Sequence, residues 1–77
     1  MTREYILCYY LTNNKQLYCL HRDKRHYSVI YNCQYYSFGI NKWILSNVPY
    51  VKEMQEISQE EAHKIVNESR MLKELKK

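Results

Sequence analysis

Among the residues of this sequence with side chains suited to holding a metal, Cys8, Cys19, His21 and His26 form the candidate set. Thiolate and imidazole are zinc's preferred ligands, and a structural site needs four of them converging on one point. No Cys-x-x-Cys or His-x-x-x-His spacing occurs, so convergence would require neighbouring strands to bring these side chains together. Cys19 with His21, or Cys33 with a distant histidine, has the makings of a nucleophilic pair. Nothing at recognisable spacing supplies an oxyanion hole or orients the base. The lone glycine, Gly39, leaves no phosphate-cradling loop. Glu60 and Glu61 are better placed for capping a helix than for acid-base work. No catalytic residue, metal or cofactor is therefore expected, and the expected mode of action is binding.

The residue types suited to binding are abundant. The chain has 77 residues, nine of them tyrosine, and a net charge of +4. Arg3, Lys15, Arg22, Lys24, Arg25 and Lys42 face only Glu4 and Asp23 within residues 1–49, whereas acidic and basic residues balance in residues 50–77. All the excess positive charge lies on the first part, where it would attract phosphates or an acidic protein surface. Lysine and arginine guarding a sheet edge account for the same pattern equally well.

A chain of this length forms one domain, 1–77, near the lower limit for a single apolar core, so a homodimer is expected. Three cysteines at irregular spacing, without a secretory leader pattern, fit reduced thiols and a cytoplasmic setting. The apolar runs, such as Trp43-Ile44-Leu45, are far too short to span a membrane.

The elements that must position these residues divide into a sheet, 1–57, and a C-terminal helix, 58–77. Residues 3–11 are apolar and aromatic at almost every position, as in a central strand covered on both sides. Asn13-Asn14 and Asp23-Lys24 supply turn chemistry, so strands are expected at 16–22 and 26–31. Further strands are expected at 34–38 and, as the alternative to a helical turn, at 42–46. After Asn47-Val48-Pro49, residues 50–57 read as extended. Ser58 with Glu61 forms a capping box, and Ala62, Ile65, Val66, Ser69 and Leu72 make one apolar stripe with Leu75 near its line. Lys73, Lys76 and Lys77 suit the helix C-terminus. The fold class is α+β: an antiparallel meander of four to six strands with one C-terminal helix on one face.

With two-residue loops, opposed residue numbers add to 27 in the first hairpin and 47 in the second. One face then gathers Tyr5, Leu7, Tyr9, Tyr18, Arg22 and Tyr27, and the other Ile6, Cys8, Tyr10, Cys19, His21 and His26. The smaller side chains favour the cysteine face for the helix. Arg22, Lys24, Arg25, Tyr5, Tyr9, Tyr18 and Tyr27 are the candidate partner-binding residues, exposed on the opposite face. Tyrosine and arginine are enriched at protein interface hot spots. The alternative is a nucleic-acid or nucleotide-binding module, in which tyrosines stack on bases and arginines neutralise phosphates.

In size, and in a composition rich in Tyr, Asn, Lys and Ile, the chain resembles the small accessory proteins of phages and other mobile elements, anti-CRISPR and related anti-defence inhibitors among them. The resemblance implies an inhibitor working in the host cytoplasm by protein-protein contact, its partner a host protein such as a nucleic-acid-processing defence complex. Many inhibitors of that type that mimic DNA are acidic. This chain is basic, which favours steric or allosteric blocking.

Overall fold

The computed structural model describes residues 4–48 and 51–75. Five strands, β1 (Tyr5–Thr12), β2 (Leu17–Asp23), β3 (Ile30–Ser37), β4 (Lys42–Leu45) and β5 (Met54–Ile57), precede one helix, α1 (Gln59–Leu75). They form a single antiparallel sheet in the order β4-β3-β2-β1-β5. The first four strands are a meander, and β5 returns to the other side of β1, where it pairs only with Tyr9–Thr12. The α+β architecture expected from sequence is the one observed.

The register differs from the expected one, and a single residue explains it. In β1–β2 the opposed numbers add to 28, from Tyr5 with Asp23 to Leu11 with Leu17. The loop has three residues because Lys15, at φ 66°, takes the left-handed conformation and closes the turn. Its N–H donates to the Thr12 carbonyl at 2.9 Å, and the Thr12 N–H donates to Gln16 at 3.0 Å. A type I turn followed by a left-handed residue is the usual three-residue hairpin loop. Asn13 and Asn14 do not adopt the positive φ expected of them.

The second loop departs further. Asp23 does not sit at a two-residue corner; its Oδ1 accepts the backbone N–H groups of Arg25 and His26, both at 2.7 Å. The carboxylate thereby anchors a longer loop, 24–29, closed by Asp23 N–H donating to the Val29 carbonyl at 2.9 Å. The expected strand 26–31 is mostly this loop, and its end fuses with the expected strand 34–38 to make β3. A bulge opposite His21 and Arg22 leaves Tyr31 as an extra residue. Residues 42–45 are a strand, as expected. The stretch 50–57 is only partly extended, since a 3-10 turn at Val51–Glu53 precedes β5.

These shifts exchange side chains between faces. The helix-side face carries Tyr5, Leu7, Tyr9 and Leu11 with Leu17, Cys19 and His21; the far face carries Ile6, Cys8 and Tyr10 with Tyr18, Leu20 and Arg22. The helix therefore packs on Tyr9 and Cys19, and the expected face of small thiols does not form. Buried Ala62 lets the backbone approach Tyr9, Leu17, Cys19 and Tyr36, while Ile65, Val66 and Trp43 close around them. Leu17 and Leu20 are fully buried, one on each face. Each contributes about 1.5–3 kcal/mol by leaving water.

Helix entry follows local rules. Ser58 Oγ accepts the Glu61 N–H at 3.1 Å, and Glu60 and Glu61 lie in the first turn. Further along, Ser69 donates to Asn41 Oδ1 at 3.1 Å, tying the helix to the β3–β4 turn. Beyond this point the packing loosens: Leu72 lines a groove with Leu11 and Phe38, and both Leu72 and Met71 are exposed. The Leu75 and Lys73 side chains, Lys76 and Lys77, and Pro49-Tyr50 lie outside the described residues.

Candidate interaction surface

The far face has no helix, yet Cys8, Tyr10, Leu20 and Cys33 form a second buried cluster there. Two loop segments cover it. From the 24–29 loop, Tyr27 brings its hydroxyl within 3.2 Å of Cys8 Sγ. From the chain after β4, the Asn47 carbonyl accepts the Cys33 thiol at 3.6 Å.

Arg22 holds the Tyr27 side of this cover in place. Only 8 % exposed, it donates from Nη2 to the Tyr10 hydroxyl at 2.9 Å and from Nη1 to the Tyr27 carbonyl at 3.0 Å. Its guanidinium lies 4.4 Å from the centre of the Tyr27 ring and 5.5 Å from that of Tyr10, so cation–π attraction adds to the hydrogen bonds. Tyr10 in turn donates to Glu56 at 3.3 Å, placing a carboxylate one hydroxyl away from the buried charge. The bond to Cys8 and, after it, burial push the Tyr27 phenol above its ordinary pKa.

The seven candidate residues separate accordingly. Arg22 is an internal bracket and offers no surface for a partner. Tyr9 is buried under the helix, its ring edge-on to His63 at 6.0 Å. Tyr18 is half-buried on the far face, 6.4 Å from Tyr35. The places of Arg22 and Tyr18 follow from the extra loop residue, which reassigns β2 to the opposite side, whereas Tyr9 keeps its expected face and is buried because the helix docks there. Tyr5, Lys24, Arg25 and Tyr27 are all exposed toward the end of the sheet away from the β1–β2 hairpin turn, Tyr5 on the helix-side face and Tyr27 over the far face.

That end is also where apolar surface concentrates. Tyr5, Ile6, Leu7, Tyr27, Val29 and Tyr31 are all exposed, Tyr5 at 54 % and Leu7, Tyr27 and Val29 at 44 % each. The helix covers only the other half of its face, leaving Leu7 exposed and His21 and Asn32 half-buried in the Leu7–His21–Asn32 row, with the Tyr5 ring 4.9 Å from His21. His21 Nδ1 is buried without a hydrogen-bond partner among the described residues. Sequence reasoning missed Ile6, Leu7 and Val29, because in a strand apolar residues read as core unless the extent of the covering helix is known.

Electrostatically this end is mildly basic. Lys24 Nζ lies 3.4 Å from Glu4, a solvent-exposed pair that offsets one positive charge. Asp23 is occupied by two backbone N–H groups and by the Tyr31 hydroxyl, which donates to its Oδ2. The Tyr31 bond first, and then the N–H groups of His26 and Arg25, hold its carboxyl below the usual value. The Arg25 side chain is exposed.

The chemistry considered from sequence loses its geometry. Cys8 and Cys19 point to opposite faces, His21 shares a face with Cys19 only, and His26 sits in the loop. Among the described residues no group of three or more His, Cys, Asp or Glu side chains converges. Burial pushes the Cys19 thiol up to about 11 and raises Cys33 as well, the reverse of what a nucleophile requires. No helix among the described residues is long and apolar enough to cross a membrane. No family model, curated protein or solved structure matches this chain.

Proposed function

We propose that this protein works by binding another protein through the uncovered end of its sheet, as a phage-type inhibitor of a host defence enzyme. The observation that carries the binding reading is the exposure of Tyr5, Leu7, Tyr27 and Val29 beside Lys24 and Arg25. Exposed aromatic and aliphatic side chains with an arginine at the rim are the composition of a protein interface core and its border. Soluble proteins seldom leave such side chains in contact with water unless a partner covers them. The inhibitor role rests on the resemblance in size and composition, and the basic rim suits an acidic surface on the target.

The tyrosine row on the far face, Tyr10, Tyr18 and Tyr35, would favour base stacking if cations lined it. Its arginine is turned inward, and Glu56 stands at the edge beside Tyr10. Protein contact is therefore the preferred reading.

The test uses the double variant Arg25→Glu, Val29→Asp, whose side chains are exposed. A tagged wild-type chain should retain a host defence protein and inhibit it, while the folded double variant does neither. Equal retention and inhibition by both would remove this surface from the function. Tight binding of mixed oligonucleotides by the wild type, weakening steeply between two salt concentrations, would replace the protein-contact reading with the nucleic-acid one.

A further inference from the structure

Residues 24–29 carry Lys24, Arg25, Tyr27 and Val29 of the proposed surface, yet they belong to no strand or helix. An exposed loop that must be ordered as it binds spends affinity on its own entropy. This loop is already tied. The Lys24 N–H donates to the Glu4 carbonyl at 3.1 Å, the Arg25 and His26 N–H groups to Asp23 Oδ1 at 2.7 Å each, and the Val29 N–H to the His26 carbonyl at 2.8 Å. Only one of these acceptors is a side chain. Asp23 also takes the Tyr31 hydroxyl on Oδ2, and its own N–H donates to the Val29 carbonyl at 2.9 Å. One residue thus grips the opening of the loop, its closing, and the strand to which it returns. Arg22 holds the Tyr27 carbonyl at 3.0 Å while bracing the core beneath, whereas Asp23 holds the part that carries Arg25.

We infer that Asp23 is the positioning residue of the binding surface: without touching the target, it holds the 24–29 loop in the conformation that the target meets. The inference deepens the proposed function and rests on it. Two consequences separate positioning from charge. An acidic target surface is repelled by the Asp23 carboxylate, so by charge alone removing that group would tighten binding. By positioning, its removal frees the Arg25 and His26 N–H groups, lets the loop spread over many conformations, and weakens binding. The signs are opposite. The second consequence concerns asparagine, which keeps a carbonyl oxygen for the two N–H groups and has an amide that can donate to the Tyr31 hydroxyl. It loses the charge and keeps the grip. The Lys24–Glu4 pair, 3.4 Å apart and exposed on both sides, is too screened to hold the loop in its place.

The test compares the full wild-type chain with Asp23→Ala and Asp23→Asn, each shown to be folded by circular dichroism. The probe is the host protein that the tagged wild type retains, once purified. Asp23→Ala should raise its dissociation constant at least about tenfold. Asp23→Asn should stay within about threefold of the wild type. Amide hydrogen exchange, read without any target, should speed up at Arg25 and His26 in Asp23→Ala and change little in Asp23→Asn. If Asp23→Ala does not fold, Asp23→Ser replaces it, since its shorter hydroxyl holds the N–H groups less well, and should bind more weakly than Asp23→Asn. Unchanged or tighter binding by the alanine or serine variant, an equal loss in Asp23→Asn, or exchange that no variant alters overturns the inference. If the Asp23 variants bind like the wild type while Arg25→Glu, Val29→Asp does not, the surface stands and only the positioning role falls. A wild type that retains no host protein, or a double variant that retains it equally, removes the proposed function and this inference with it.

Discussion

Arg22 shows how much a single side chain's role depends on its surroundings. Its charge is held indoors by two neutral oxygens and two aromatic faces, and its Nε has no partner among the described residues. Truncation would strand the Tyr10 hydroxyl and the Tyr27 carbonyl and loosen the cover over Cys8. Arg22→Ala should therefore cost about 2–4 kcal/mol in urea unfolding, whereas exposed Arg25→Ala should change stability by less than about 0.5 kcal/mol. Comparable losses for the two variants would show that the bracket contributes nothing. Sequence reasoning singled out both arginines by type and grouped them as one contact. It could not separate them, because the difference between bracket and surface is a difference in register, and register turned on Lys15.

At the scale of elements, local chemistry was legible and long-range pairing was not. The helix start could be read because Ser58, Glu60 and Glu61 act on backbone groups within one turn. The hairpin could not, since a lysine in left-handed conformation carries no sequence signal comparable to Asn-Gly. Asp23 was recognised as a turn residue, but the length of loop it gathers depends on Tyr31, eight residues away. That anchor has a measurable pH signature. Because the folded carboxyl titrates below its unfolded value, its stabilisation is complete above the ordinary Asp pKa of about 3.9 and is lost as pH falls through the folded value. Asp23→Asn should remove this part of the acid sensitivity, so that stability falls less steeply below about pH 4 than in the wild type. Identical slopes in urea titrations across that range would show that the anchor carries no weight.

Over the whole molecule, 46 × 28 × 21 Å across its principal axes, one short sheet carries a core on each side. The three free cysteines divide between them, Cys19 under the helix and Cys8 and Cys33 beneath the loops, all buried. If the sheet opens as one unit, all three thiols should label with a thiol reagent at the same rate at each urea concentration. Faster labelling of Cys8 and Cys33 than of Cys19 would mean that the loop cover opens by itself. The sheet-plus-helix class was readable from periodicity and capping, and the two-sided core was not. It requires knowing that a loop returns over the strands, and no hydrophobic periodicity marks a loop that does so.

The 24–29 segment is consequently a poor place for engineering, although its composition and exposure look permissive. Tyr27 is its keystone, and the span from Asp23 to Val29 fixes where that ring lands. Adding or deleting one residue there would shift the phenol away from Arg22 and Cys8 and wet a hydrophobic layer from above.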